Sequence, residues 1–135
     1  MLTSTWRQWA LPAFIAALAV ADGVLHLWLD VLFFGGNLLA NSMSVLFALN
    51  FLGFAGLAGL VLLAPRWLGS WQWLVDGLLM GYTLATVVAW FNHGSPNPMG
   101  LGYFDKGLEM VLLGGLLVHL RHAWPRRTLN APVTA

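Results

Sequence analysis

Four apolar runs, 9–34, 41–64, 71–92 and 103–123, take up most of a 135-residue chain, and this decides what the chain can fold into. Each run reaches the roughly 20 residues that a helix needs to cross the hydrocarbon core of a bilayer. Inside lipid a backbone N–H or C=O finds no water, so a spanning segment of this length is expected to be a helix that satisfies its own backbone. Only 8% of the residues are charged, against about 25% in ordinary soluble domains. The expectation is an all-α fold: a single domain, 1–135, forming an integral membrane bundle of four transmembrane helices. The connections are too short for a soluble catalytic or receptor domain, which places any function in the membrane, at its edges, or in its partners.

Further constraints come from what the chain lacks and from where its cations fall. With no cysteine there is no disulfide, no thiolate metal site and no thiol redox chemistry. The first run is long enough to span and has no small-residue cleavage site after a short apolar stretch, so it is expected to be retained rather than removed as a signal. Arg7, Arg66, Arg121, Arg126 and Arg127 fall on one side of a four-span arrangement and only Lys106 on the other, which predicts cytoplasmic N and C termini and residence in the inner, cytoplasmic membrane. Trp6, Trp9, Trp67, Trp71, Trp73 and Trp124 gather at the same ends, where amphipathic rings sit at headgroup level. The partners expected are the lipid bilayer and other membrane-protein subunits; nothing points to nucleic acid. The stretches "FGGN", "APRWLGS" and "NHGSPNPMGLG" supply the Gly, Pro and Asn that end helices between the runs.

The stretch "ADGVLHLWLD", 21–30, sets Asp22, His26 and Asp30 four residues apart, nearly on one stripe of a helix. An uncompensated charge at mid-bilayer costs at least about 2.5–3.5 kcal/mol, so the stripe is expected to face the bundle interior. At 1.5 Å per residue, His26, Asn50 and Glu109 share a depth of about 9–12 Å from one membrane face. Asp22 lies one turn deeper, and Asp30 one turn shallower at the level of Lys106. The pairs this predicts are Asp30 with Lys106, and His26 with Glu109 or Asn50. The cluster Asp22, His26, Asp30, Asn50 and Glu109 reads as structural hydrogen bonding, as a proton or ion path, or as a cofactor site with His26 as ligand.

No cofactor is required by the sequence. A haem at His26 needs an unlike second ligand or one from a neighbouring chain, because His93 lies about 10 Å shallower and His119 and His122 sit near the opposite end of the fourth run, whereas a chlorin magnesium is compatible with His26 as its single axial ligand. No metal site is expected: His119 and His122 are expected to snorkel to headgroups, and His93 stands in a loop without a neighbouring carboxylate. Asp76 is expected to pair with Arg66 or Arg121. Ser42 and Ser44 are placed to cap the second helix.

Gly53, Gly56 and Gly59 recur every three residues, and Gly77, Gly81, Ala85 and Ala89 every four, as faces for close helix packing, first of all within this chain. No Gly-x-Ser-x-Gly elbow, phosphate-binding loop or His-Glu-x-x-His occurs, so no enzyme is expected and no catalytic residue is assigned. In span number and in the mid-membrane acid of its first span the chain resembles the small multidrug resistance transporters, and in size the DoxX-like membrane proteins. Asp22 stands where the former have glutamate, and the motifs of neither group occur, so the resemblance is one of architecture and implies no activity. Three functions are therefore carried forward. The first is a structural accessory subunit of a larger membrane complex, respiratory or photosynthetic. The second is a small homo-oligomeric proton-coupled transporter using the Asp/His/Glu cluster, and the third an electron-transfer or quinone-site subunit with His26 as ligand.

Overall fold

The computed structural model describes residues 3–37, 39 and 41–123, and they form an all-helical fold. Helix α1 spans Thr3–Phe34, α2 Ser42–Trp67, α3 Gln72–Asn92 and α4 Leu101–Ala123. Segments Trp9–Phe34, Ser42–Leu63 and Gln72–Asn92 of the first three are long and apolar enough to cross a membrane. Helix α4, with 23 residues, is no shorter than α3, but it carries Asp105, Lys106, Glu109 and Arg121. The expectation of four apolar spans is thus met on length and apolarity by three helices.

Local sequence explains where the helices stop. Helix α1 ends at Gly35 and Gly36, both at φ +74°, a left-handed conformation that costs glycine little. Their N–H groups donate back to the carbonyls of Val31 and Asp30, which closes the last turn. Helix α2 is capped by Asn41 rather than by a serine: its Oδ1 accepts from the N–H of Met43 at 2.9 Å and of Ser44 at 3.0 Å. Ser44 is instead buried, its hydroxyl without a hydrogen-bond partner among the described residues. A short 3₁₀ turn, Gly69–Trp71, links α2 to α3.

The connection from α3 to α4 is tied to the bundle. The indole Nε1 of Trp90 donates to the carbonyl of Pro96 at 2.8 Å, and the N–H of Tyr103 donates to Oδ1 of Asn97 at 3.1 Å. Gly102 lies so close under this loop that a β-carbon there would run into the Pro96 carbonyl and stand 3.1 Å from the Trp90 indole nitrogen. Only glycine lets α4 start beneath the loop.

The helices pack as a ring, each against its two sequence-adjacent neighbours, with α4 closing on α1. The apolar core fills the half of the bundle nearer the termini: Ile15, Ala16 and Ala19 from α1, Phe54, Ala58 and Val61 from α2, Val75 and Leu79 from α3, and Leu112 and Leu116 from α4. Helices α1 and α2 make the most extensive contact, through small residues that the sequence reading did not single out. A β-carbon at Gly23 would sit 3.2 Å from the Phe51 backbone.

The glycine faces divide. Gly53 is a packing position, since a side chain there would collide with the Tyr82 hydroxyl. Among the described residues, a β-carbon at Gly56, Gly59, Gly77 or Gly81 would meet nothing within 4 Å. Gly77 and Gly81 are exposed on α3 and make no close contact of the suggested kind among the described residues, whereas Ala85 and Ala89, also exposed, border an open cavity between the helices. Close packing needs a partner surface, and α3 turns its other side, Val75, Leu79 and Thr83, to the bundle.

The polarity of the bundle is inside out. Asp22, His26, Asp30, Asp76, Asp105, Glu109 and His119 are buried, while Leu52, Leu78, Val88, Phe91 and Phe104 are each about 55–62% exposed. Water would favour the reverse, and lipid favours this arrangement. With three helices able to cross a bilayer, this is the pattern of a membrane protein.

Candidate functional site: a polar cluster beneath an apolar cavity

The half of the bundle nearer the α1–α2 and α3–α4 connections is hollow. A cavity of about 610 Å³ lies there, lined by all four helices and by the α3–α4 loop. Its walls are apolar and aromatic, with Phe33, Phe34, Phe47, Leu49, Trp90 and Leu101 among them. Its polar lining is confined to a few groups: His26, Asn50, Tyr82, Thr86, Asp105 and Lys106, with His93 at the loop end. Such a volume, with an apolar wall and a few convergent polar groups, is typical of small-molecule sites of about 300–1,000 Å³.

Helix geometry brings the ionisable groups together. On α1 the four-residue spacing turns Asp22, His26 and Asp30 inward, and all three are buried. On α4 the same spacing places Asp105 and Glu109 on one inward stripe, also buried. The two stripes meet at His26. Its Nδ1 donates to the backbone carbonyl of Asp22 at 2.9 Å and lies 3.8 Å from Oδ1 of Asp105 and 4.0 Å from Oδ2 of Asp22. Its ring is wedged between Phe47 and Phe54, with centroid separations of 5.7 and 6.3 Å. Because a carbonyl can only accept, Nδ1 carries a proton in this arrangement.

Lys106 bridges the two acids of its own helix, its ammonium 2.9 Å from Oδ2 of Asp105 and 2.5 Å from Oε2 of Glu109. Glu109 also accepts a short hydrogen bond from the Thr86 hydroxyl of α3. Thus α1, α3 and α4 are joined through one polar network. Asn50 of α2 lies beside it, accepting from the Tyr82 hydroxyl at 2.9 Å.

These contacts replace the pairs expected from depth alone. Lys106 is engaged by Asp105 and Glu109 and not by Asp30, whose two carboxylate oxygens are buried without a hydrogen-bond partner among the described residues. His26 meets Asp105 and its own neighbour Asp22, whereas Glu109 and Asn50 are held by other groups. Depth fixes the level of a side chain but not its direction around the helix axis. Asp105 was the residue missed, and its signal was present: it precedes Glu109 by four residues, the interval that unites Asp22 and His26.

A second polar cluster sits at the other end of α3 and α4. Asp76 is fully buried, and its carboxylate lies 3.0–3.1 Å from Nδ1 of His119, whose Nε2 is 3.3 Å from the Gln72 amide nitrogen. Two expectations change: Asp76 pairs with His119 and not with the exposed Arg121, the Arg66 side chain lying outside the described residues, and His119 is buried rather than snorkelling. His122 is exposed, with Nδ1 donating to the Val118 carbonyl at 2.7 Å, and His93 bonds in the same way to Ala89. Of the residues that bear on orientation, Trp124, Arg126 and Arg127 lie outside the described residues, as do the side chains of Trp6, Arg7 and Arg66.

No family model, no curated protein and no solved structure matches this chain. The functional reading therefore rests on the cavity and on the network at its base.

Proposed function

We propose that this chain is a four-span membrane protein that binds a small, mainly apolar molecule with an oxygen-bearing head, taken into the cavity with that head on the polar network. The single observation that carries this reading is the cavity of about 610 Å³, apolar on its walls and polar at His26, Asp105 and Lys106. Lys106, with a third N–H beyond those on its two acids, is a donor for a carbonyl or hydroxyl head, the Tyr82 hydroxyl oxygen is an acceptor, and Phe33, Phe47 and Trp90 suit a flat or branched apolar body. Both the quinone-site reading and the proton-coupled transport reading are forms of this binding function. They differ in whether the bound molecule exchanges electrons or crosses the membrane. Native mass spectrometry of the protein purified in mild detergent is the test. A co-purified molecule of small mass should be present in the wild type and absent from Ala89→Phe, which fills the cavity wall. An Ala89→Phe variant that keeps it would refute the cavity as the site.

Counting α4 as the fourth span is supported by the direction of its side chains. Asp105, Glu109 and His119 point inward, and Tyr103, Phe104, Met110, Val111, Leu117 and Val118 are left outside. With four spans, the arginine asymmetry supports a reading in which both termini are cytoplasmic. A reporter fused after residue 135 should then be active only inside the cell.

A second reading, an accessory subunit of a larger membrane assembly, is favoured by one observation. The exposed Gly77 and Gly81 leave a smooth strip on α3 along which a helix of another subunit can approach. Co-migration with a large complex on a native gel, lost in Gly81→Leu, is the result this reading requires.

A further inference from the structure

Three buried side chains at the base of the cavity stand in positions suited to sharing one ion. A ring nitrogen of His26 and one carboxylate oxygen each from Asp22 and Asp105 lie within 4.8 Å of one another. Two of the separations are 3.8 and 4.0 Å, from His26 Nδ1 to Asp105 and to Asp22. Ligands bound at about 2.0–2.2 Å around a tetrahedral ion stand about 3.4 Å apart, so the site forms when the three groups draw together and the His26 ring turns its Nδ1 off the Asp22 carbonyl.

A second observation goes beyond the clustering of acids. Asp22 is completely buried with its carboxyl group against that of Asp105, yet no other group among the described residues donates a hydrogen bond to either of its oxygens or to Oδ1 of the buried Asp105. Buried polar atoms are ordinarily satisfied, and these three oxygens gather around one imidazole. Lys106 does not answer for them, because its ammonium is on the other oxygen of Asp105 and on Glu109.

We propose that Asp22, His26 and Asp105 bind a divalent transition-metal ion. One imidazole and two carboxylates form a donor set for zinc, manganese or ferrous iron, whereas calcium and magnesium favour oxygen alone. Coordination through Nδ1 exchanges the proton now donated to the Asp22 carbonyl for the metal, and that proton leaves to solvent. Three protein ligands leave a coordination position open, and His26 and Asp105 both line the cavity. The site stands independently of whether the cavity holds an organic molecule.

Isothermal titration of the full chain with zinc chloride, after chelator treatment in detergent, tests the assignment. The expected result is one zinc per chain, at least tenfold weaker in Asp105→Asn and in His26→Gln and unchanged in His93→Gln and His122→Gln. Wild-type protein that binds no zinc overturns the proposal, as does zinc binding that survives both Asp105→Asn and His26→Gln. Should those variants fail to fold, cobalt(II) added to the wild type keeps the question answerable. Visible absorption from a low-symmetry nitrogen and oxygen site supports it, and a spectrum no different from cobalt in detergent alone overturns it. Neither readout depends on the mass spectrometry of the cavity, so either reading can fail without the other.

Discussion

Lys106 places its ammonium 2.5 Å from the carboxylate of Glu109 one turn further along α4, and Glu109 is completely buried. The same ammonium holds Asp105, so a single cation answers two acids inside an apolar bundle. Removing it should be costly, because the desolvated carboxylates remain behind. Lys106→Met is expected to lower stability by about 3–5 kcal/mol, the usual loss when a buried pair is broken from one side. Lys106→Met combined with Glu109→Gln should recover part of that loss, since the amide carries no charge and still accepts from Thr86. Reversible denaturation in detergent micelles measures both. Equal stability of Lys106→Met and wild type would show that water reaches the pair.

Gly53 and Gly81 should respond in opposite directions to the same added methyl group. At Gly53 a β-carbon collides with the Tyr82 hydroxyl, which bonds Asn50 at 2.9 Å and the Leu49 carbonyl at 3.3 Å. Gly53→Ala is expected to cost about 1–3 kcal/mol as Tyr82 is pushed aside. Gly81→Ala meets no atom within 4 Å among the described residues and should stabilise the isolated chain by up to about 1 kcal/mol through helix propensity. Thermal melting of the two variants side by side checks the prediction, and a destabilised Gly81→Ala would mean that something already packs on that face.

The histidine at the far end of α4 provides a third test. His119 is the neighbour of a fully buried Asp76, at 3.0 Å. His119→Leu strands that carboxylate and is expected to cost about 3–5 kcal/mol. His119→Gln keeps a donor within reach and should lose much less. Chemical denaturation of the pair in one detergent separates the outcomes, and matching losses would show that the ring's packing matters rather than its hydrogen bond.

Much of the architecture could be read from the order of residues because in lipid the backbone leaves little choice. Runs of 20 or more apolar residues have to be helices, and the Gly35–Gly36 pair, Gly69 and the Pro96–Pro98 segment fall where the chain turns. The inward stripe of Asp22, His26 and Asp30 was equally legible, since a four-residue interval puts side chains on one face whatever the neighbours are. Which groups meet across helices was not legible. That depends on how far each helix is rotated about its axis, and rotation is set by packing at places such as Gly23 against Phe51, Gly53 against Tyr82 and Gly102 beneath Pro96. Tertiary structure alone therefore brought Asp105 to His26, gave Lys106 to Glu109 instead of Asp30, and set His119 against Asp76. It alone opened the cavity above them, because a void is the space that four packed helices fail to fill, and no single helix carries a record of it.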